Sequence, residues 1–123
     1  MAMVIEFWVS SGACHRGGAA LAFISGQAAA DKEGNSLHPS DMRAQMQVMM
    51  ANLEMVLAGA EMTLSDLVML RLYSVNVDDT LQHYDIMAGR LAAFDVKPTM
   101  TLLGVTRLAM APLLCEVDAI AVA

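Results

Sequence analysis

Residues 113–122 read Leu-Leu-Cys-Glu-Val-Asp-Ala-Ile-Ala-Val and decide the fold of this chain. Successive side chains of a β-strand point to opposite faces of a sheet. Apolar residues occupy both alternating sets here, with Val117 and Ala119 in one and Ile120 and Val122 in the other. A strand that is apolar on both sides needs cover on both sides. A chain of 123 residues is short for supplying both layers, so we expect an oligomer in which a second subunit covers one face.

Working outward from this strand, the pattern predicts one α+β domain that spans residues 1–123. Apolar spacing and turn residues predict helices over 41–60, with Ser40 as the N-cap, and over 78–94, with Asp78-Asp79-Thr80 as the cap. Strands are predicted at 21–25, 68–77, 99–106 and 113–121. This order favours two amphipathic helices packed on one face of a mixed sheet.

Composition argues against several classes of partner. Thirteen acidic and seven basic residues give a net charge of −6, and the basic residues are scattered along the chain. Because nucleic-acid binding requires clustered Lys and Arg, no nucleic acid is expected as a partner. No apolar run approaches the roughly 18 residues of a membrane helix, and residues 1–11 lack the basic start of a signal peptide. We expect a cytoplasmic protein that makes no membrane contact.

The cysteines and histidines indicate neither a metal nor a cofactor. Cys14 and Cys115 are too few for a disulfide framework, and the sequence has no C-x-x-C or H-x-x-x-H spacing. Cys14 and His15 are adjacent, but neighbours on a strand point to opposite faces, so they do not form a catalytic dyad.

Two carboxylates interrupt the apolar terminal strand. Glu116 and Asp118 are two residues apart, which places them on the same face of the sheet and roughly 7 Å from each other. Carboxylates in such a strand are costly to bury unless they are paired. Two interpretations stay open. Both carboxylates pair with Arg71, Arg107 or backbone amides at a subunit boundary, or one of them has a perturbed pKa and orients a water or accepts a proton.

Several segments together resemble the Rid family of reactive-intermediate deaminases. They are residues 23–27 (FISGQ), 52–57 (NLEMVL), 65–68 (SDLV), 98–102 (PTMTL) and 115–122 (CEVDAIAV). The resemblance covers nearly the whole chain from about residue 17. It implies a chorismate-mutase-like α+β fold that assembles as a homotrimer, with the sheets forming an inner barrel and three clefts between adjacent subunits.

The resemblance also implies a site. Ser25, Gly26 and Glu116 match positions of the deaminase site, and Glu116 stands where a glutamate helps to place the hydrolytic water. Tyr84 stands at or next to an asparagine position, and the position of a further tyrosine falls near Trp8, where no phenol exists. The expected site therefore has Glu116 as its catalytic residue and the following substrate-binding residues: Ser25, Gly26, Tyr84, Met100 and Leu102.

Met100 is compatible with the fold that the resemblance implies but not with the deaminase activity. It stands where deaminating members carry the arginine that fixes the substrate carboxylate, and a thioether cannot form the bidentate contact of a guanidinium. Arg107 lies at the opposite strand parity and does not replace it. We therefore expect a cleft that binds a small metabolite other than a 2-imino acid. Two alternatives stay open: a non-catalytic binding or stabilising partner of a metabolic enzyme, and a weak enamine or imine deaminase or other hydrolase that uses Glu116.

Overall fold

A single five-stranded mixed sheet organises the computed structural model, which describes residues 8–10 and 20–123. The strands are β1 (Trp8–Ser10), β2 (Leu21–Ala28), β3 (Leu67–Ser74), β4 (Thr99–Gly104) and β5 (Cys115–Val122). They lie in the order β1-β2-β5-β3-β4, and only β3 and β4 are parallel neighbours among them. The helices are α1 (Met42–Gly59), α2 (Val77–Gln82) and α3 (Asp85–Ala93). The predicted α+β fold, with a mixed sheet and helices on one face, is confirmed.

The central strand β5 has one covered face and one open face. Cys115, Val117, Ala119 and Ala121 are buried in the main core, which contains the apolar side of α1. The alternate residues, from Glu116 to Val122, are partly or largely exposed. We call the side of the sheet that carries these alternate residues the open face. The residues of β5 that lack an apolar cover are therefore on the open face.

Helix α1 begins one residue later than the sequence suggested. The carboxylate of Asp41 accepts a hydrogen bond from the Ala44 amide at 3.0 Å and forms the N-cap, so the prediction of Ser40 as the cap is wrong. Ser40 has φ of 63° and lies in the left-handed region, whereas Asp41 is extended, as an N-cap residue requires. Among the described residues, no helix is both long and apolar enough to cross a membrane.

The predicted second helix is two helices with a break between them. Asn76, rather than Asp78, caps α2 by accepting a hydrogen bond from the Asp79 amide at 3.1 Å. Helix α2 ends at Gln82, with His83 as its C-cap, and α3 starts at Asp85, so the prediction of a single helix over 78–94 is wrong. The same cap explains why β3 ends at Ser74 and not at residue 77, since the chain turns into α2 there.

Two side-chain amides of α1, Gln45 and Asn52, tie the loops to this helix. The side-chain amide of Gln45 donates to the carbonyl of Pro112 at 2.8 Å, and its oxygen accepts from the Leu114 amide at 2.9 Å. Asn52 donates to the carbonyls of Ala28 and Ala30. These bonds satisfy backbone groups that helices and strands leave unpaired. They also fix one end of the open face, where the end of β2 lies beside the start of β5.

Candidate functional site on the open face

A bulge in β2 makes room for the carboxylate of Glu116. The register between β2 and β5 shifts between Ile24 and Gln27, so the chain bends at Ser25 and Gly26. A Cβ atom on Gly26 would overlap the Glu116 carboxylate. The glycine is therefore required for space and not for backbone conformation, because its φ is not positive. The buried side chain of Gln27 supports the bulge by donating to the Ser25 carbonyl at 3.1 Å.

Glu116 is a half-buried carboxylate that lacks a hydrogen-bond donor within the part of the chain that the structure describes. Desolvation raises its pKa above the ordinary glutamate value, and the negative charge of Asp118 raises that pKa further. Tyr73 lies directly opposite Glu116 across the β3–β5 pairing, but its hydroxyl donates elsewhere. Among the described residues, nothing occupies this carboxylate as an acceptor of a hydrogen bond or a proton.

Asp118, in contrast, is fully engaged. Its two oxygens accept from the Arg71 guanidinium at 3.0 Å and 2.9 Å, and one of them also accepts from the Tyr73 hydroxyl at 2.8 Å. Such bidentate charge-assisted pairs are strong and geometrically specific. The hydrogen bonds that Arg71 donates to Asp118, and then the negative charge of Asp118, raise the pKa of the Arg71 guanidinium. Desolvation and then the bond to Asp118 raise the pKa of Tyr73. The pairing with Arg71 is therefore found for Asp118, and no such pairing is found for Glu116 among the described residues.

A groove of about 270 Å³ crosses the open face beside these groups. It is lined by Phe23, Ile24, Ser25, Met69, Arg71, Asp118, Ala119 and Ile120. Its polar end holds Ser25, which precedes the glycine under Glu116, and the Arg71–Asp118 pair. Its apolar end holds Phe23, whose side chain is 48% exposed. The groove thus combines apolar walls with a few polar groups, as small-molecule sites commonly do.

The other three expected site residues lie on the opposite side of the sheet. Met100 and Leu102 pair with Leu70 and Leu72, whose side chains are buried in the core under the helices. The hydroxyl of Tyr84 donates to the Met100 sulphur at 3.2 Å, which the break between α2 and α3 makes possible. Within one chain, the sheet therefore separates these residues from Ser25, Gly26 and Glu116.

The cysteines and histidines form no site among the described residues. Cys115 is buried on the helix-covered face, where desolvation raises the pKa of its thiol to about 12 and makes it unreactive. No three His, Cys, Asp or Glu side chains lie together as metal ligands would in residues 20–123. Cys14 and His15 lie outside the described residues.

Sequence reasoning missed Tyr73 and Gln27. Tyr73 was seen only as part of a β-rich segment, and its role depends on the register that places β3 beside β5. Gln27 belongs to the segment 23–27, but its function is to hold the bulge through a bond to a backbone carbonyl. A buried Gln directly after Ser-Gly in a strand is the one local signal that pointed to an irregularity.

Comparisons with known proteins agree with this fold. The family model described as endoribonuclease L-PSP matches residues 10–123. The crystal structure of YyfB from Yersinia pestis, a protein of unknown function of the conserved Rid family, is 35% identical, covers 82% of this chain and 77% of its own, and has a TM-score of 0.72.

Two Escherichia coli structures share the fold at lower identity. TdcF with bound serine is 21% identical, with 84% of this chain and 80% of that chain covered and a TM-score of 0.75. The YjgF gene product is 22% identical, with 83% and 80% covered and a TM-score of 0.73. A comparison with the curated proteins found no match. On the family model and the YyfB match, this chain belongs to the Rid family, also described as the endoribonuclease L-PSP family.

Proposed function

We propose that this protein binds a small metabolite in a cleft between subunits of a homotrimer, where the ligand contacts Glu116, and that it is not a standard 2-imino acid deaminase. One observation carries the proposal. The Glu116 carboxylate rests on Gly26, half-buried and without a donor among the described residues, beside a groove. A carboxylate in this state gains a hydrogen bond when a ligand supplies one.

The need for a second subunit follows from the split between the two sets of site residues. Glu116 and Gly26 lie on the open face, and Met100 and Tyr84 lie on the helix-covered face. Only a neighbouring copy can bring its β4 edge to the open face of the first. Exposed apolar residues on the open face, such as Phe23 and Val122, give that copy a surface to bury.

Met100 disfavours a 2-imino acid deaminase. Its thioether already accepts the Tyr84 hydroxyl and packs against the core, so it offers no donor to a substrate carboxylate. The serine in TdcF shows that one protein of this fold holds a small amino acid. In the present chain, position 100 supplies no guanidinium to bind the carboxylate of such a ligand.

A second function, a weak enamine or imine hydrolase, is favoured by the environment of Glu116. Burial and Asp118 raise the pKa of this carboxyl towards the range in which a group can both accept and release a proton. The hydrolase would use Glu116 to activate water without an arginine anchor, and we expect it to be slow.

The test is direct observation of Glu116 in the assembled protein. Its side-chain carboxyl carbon is followed by ¹³C NMR while isobutylamine, valine or 2-oxoisovalerate is added, three compounds that share the four carbon atoms of an isobutyl group. We expect at least one of them to move the Glu116 signal, whereas the signal of Glu33, in an exposed turn, stays in place. A Glu116 signal that none of the three moves contradicts the proposed cleft.

A further inference from the structure

We infer that the ligand is a small aliphatic amine without a carboxylate group, with its nitrogen at Glu116 and its apolar body in the groove on the open face. The inference rests on the proposed function, which it extends by naming the ligand class. This ligand class differs from the 2-imino acids expected of deaminating relatives. Here a carboxylate recognises a cationic ligand, whereas in those relatives an arginine recognises the carboxylate of the substrate.

The charges on the open face support a cationic ligand. Arg71, Asp118 and Glu116 are the charged side chains that the described strands direct there. Asp118 and Arg71 neutralise each other, since both oxygens of the carboxylate accept from the guanidinium. Among these three groups, Glu116 therefore carries the charge that is not balanced. A carboxylate ligand would be repelled by the net negative charge of these three groups, whereas an ammonium group would be attracted to it.

Hydrogen-bond capacity leads to the same conclusion. Asp118 receives a third donor, the Tyr73 hydroxyl, so three hydrogen bonds occupy its oxygens. Glu116 receives none from the described residues. An ammonium group carries up to three donors and no acceptor, so it supplies what Glu116 lacks. Burying the carboxylate beside a cation also offsets the desolvation that raises the pKa of Glu116.

The groove limits the size and polarity of the rest of the ligand. Its volume of about 270 Å³ is below the roughly 300–1,000 Å³ of sites for drug-sized molecules, so a body of a few carbon atoms fits. Phe23, Met69 and Ile120 line it with apolar side chains. Glu116 does not itself line the groove, but its carboxylate lies against Gly26, the residue after Ser25 of the groove. An amine bound at Glu116 can therefore extend its alkyl part towards these residues.

The experiment compares isobutylamine with valine, which differs from it by one carboxylate. Both are titrated into the full-length protein while the methyl groups of Met69, Ile120 and Met55 are observed by NMR. Met69 and Ile120 line the groove, and Met55, 70% exposed on α1, is the internal control. We expect isobutylamine to shift the two groove methyls and to bind at least tenfold more tightly than valine, without a shift at Met55. Equal or tighter binding of valine, no detectable binding of isobutylamine, or unmoved groove methyls overturns the inference.

Variants separate this inference from the proposed function. Glu116→Gln preserves the shape and removes the charge, so we expect it to abolish the preference for isobutylamine over valine. Glu33→Gln removes one carboxylate from an exposed turn and should leave the preference unchanged. If valine or 2-oxoisovalerate is preferred and the Glu116 signal still moves, the cleft stands and only the ligand class is wrong. If no compound moves that signal, the cleft itself is wrong.

Discussion

The two faces of β5 differ in what covers them. On the helix-covered face, Val117 is fully buried by the chain's own helices. On the open face, Ile120 is partly exposed and Val122 is 41% exposed, while Glu116 and Asp118 stand beside them. The covered face thus belongs to the fold of a single chain, and the open face carries groups that the fold does not require. This contrast separates substitutions that destroy the fold from those that affect assembly or binding.

The largest effect is expected on the covered face. Val117→Asp places a carboxylate among buried apolar side chains with no cation nearby, and the cost of desolvating it is at least about 3 kcal/mol. We expect the variant to lose most of its stability or to fail to fold. Urea unfolding followed by circular dichroism measures the loss. A variant with the wild-type unfolding midpoint would show that Val117 is not part of the core.

The matched change on the open face is Ile120→Asp. Ile120 lies on the same face of β5 as Glu116, with Asp118 between them. Here we expect the secondary structure to persist while the trimer dissociates, since a charge at a subunit interface is costly only in the assembly. Sedimentation equilibrium should give about three times the 13.1 kDa chain mass for the wild type and a single chain for the variant. A wild-type monomer at micromolar concentration contradicts the homotrimer.

A smaller effect is expected at the contact between Gly26 and Glu116. Gly26→Ala adds a methyl group where the Glu116 carboxylate lies, and overpacking of this kind costs about 1–3 kcal/mol. In a Glu116→Ala background the space is vacant, so the same change should cost clearly less. A double-mutant cycle measures the coupling. If the two effects simply add, the carboxylate does not rest on Gly26.

The smallest effect concerns pH. Because the pKa of Glu116 is raised in the folded state, the folded protein binds the proton of the Glu116 carboxyl more tightly than the unfolded chain does. The stabilising contribution is complete below the ordinary glutamate pKa of 4.5 and is lost as pH rises through the folded pKa. Glu116→Gln should therefore be slightly more stable than the wild type at neutral pH, and the difference should shrink on acidification. Urea midpoints at pH 4 and pH 7.5 check the sign, and a larger advantage at pH 4 contradicts it.

Much of the fold follows from local patterns in the sequence. The alternation in 113–122 predicted a strand with two apolar faces, and the spacing of apolar residues predicted α1. The break at Tyr84 was missed because residues 82–85 contain neither Gly nor Pro, and Tyr84, Met87 and Leu91 keep helical spacing after it. Ser40 was mistaken for the cap because residue type does not reveal its left-handed backbone.

The geometry of the candidate site could not be predicted from local sequence patterns. Segment resemblance indicated Ser25, Gly26 and Glu116, but the overlap between a Cβ at residue 26 and Glu116 depends on the bulge in β2. The pairing of Asp118 with Arg71, and not with Arg107, depends on the long-range register of β3 and β5. Strand alternation placed Met100 and Leu102 on one face, yet the sequence did not say that this face is the one under the helices.

The central claim is that this Rid-family chain keeps the Glu116 end of a cleft and lacks the anchor for a substrate carboxylate. The most direct measurement is hydrolysis of the imine formed when a dehydratase acts on serine, run beside an arginine-bearing family member at equal protein concentration. Losing a charge-assisted contact costs roughly 1.5–3 kcal/mol per bond, so we predict at least a hundredfold lower turnover. We also predict that Met100→Arg raises whatever activity remains. Turnover comparable to that of the arginine-bearing protein contradicts the claim.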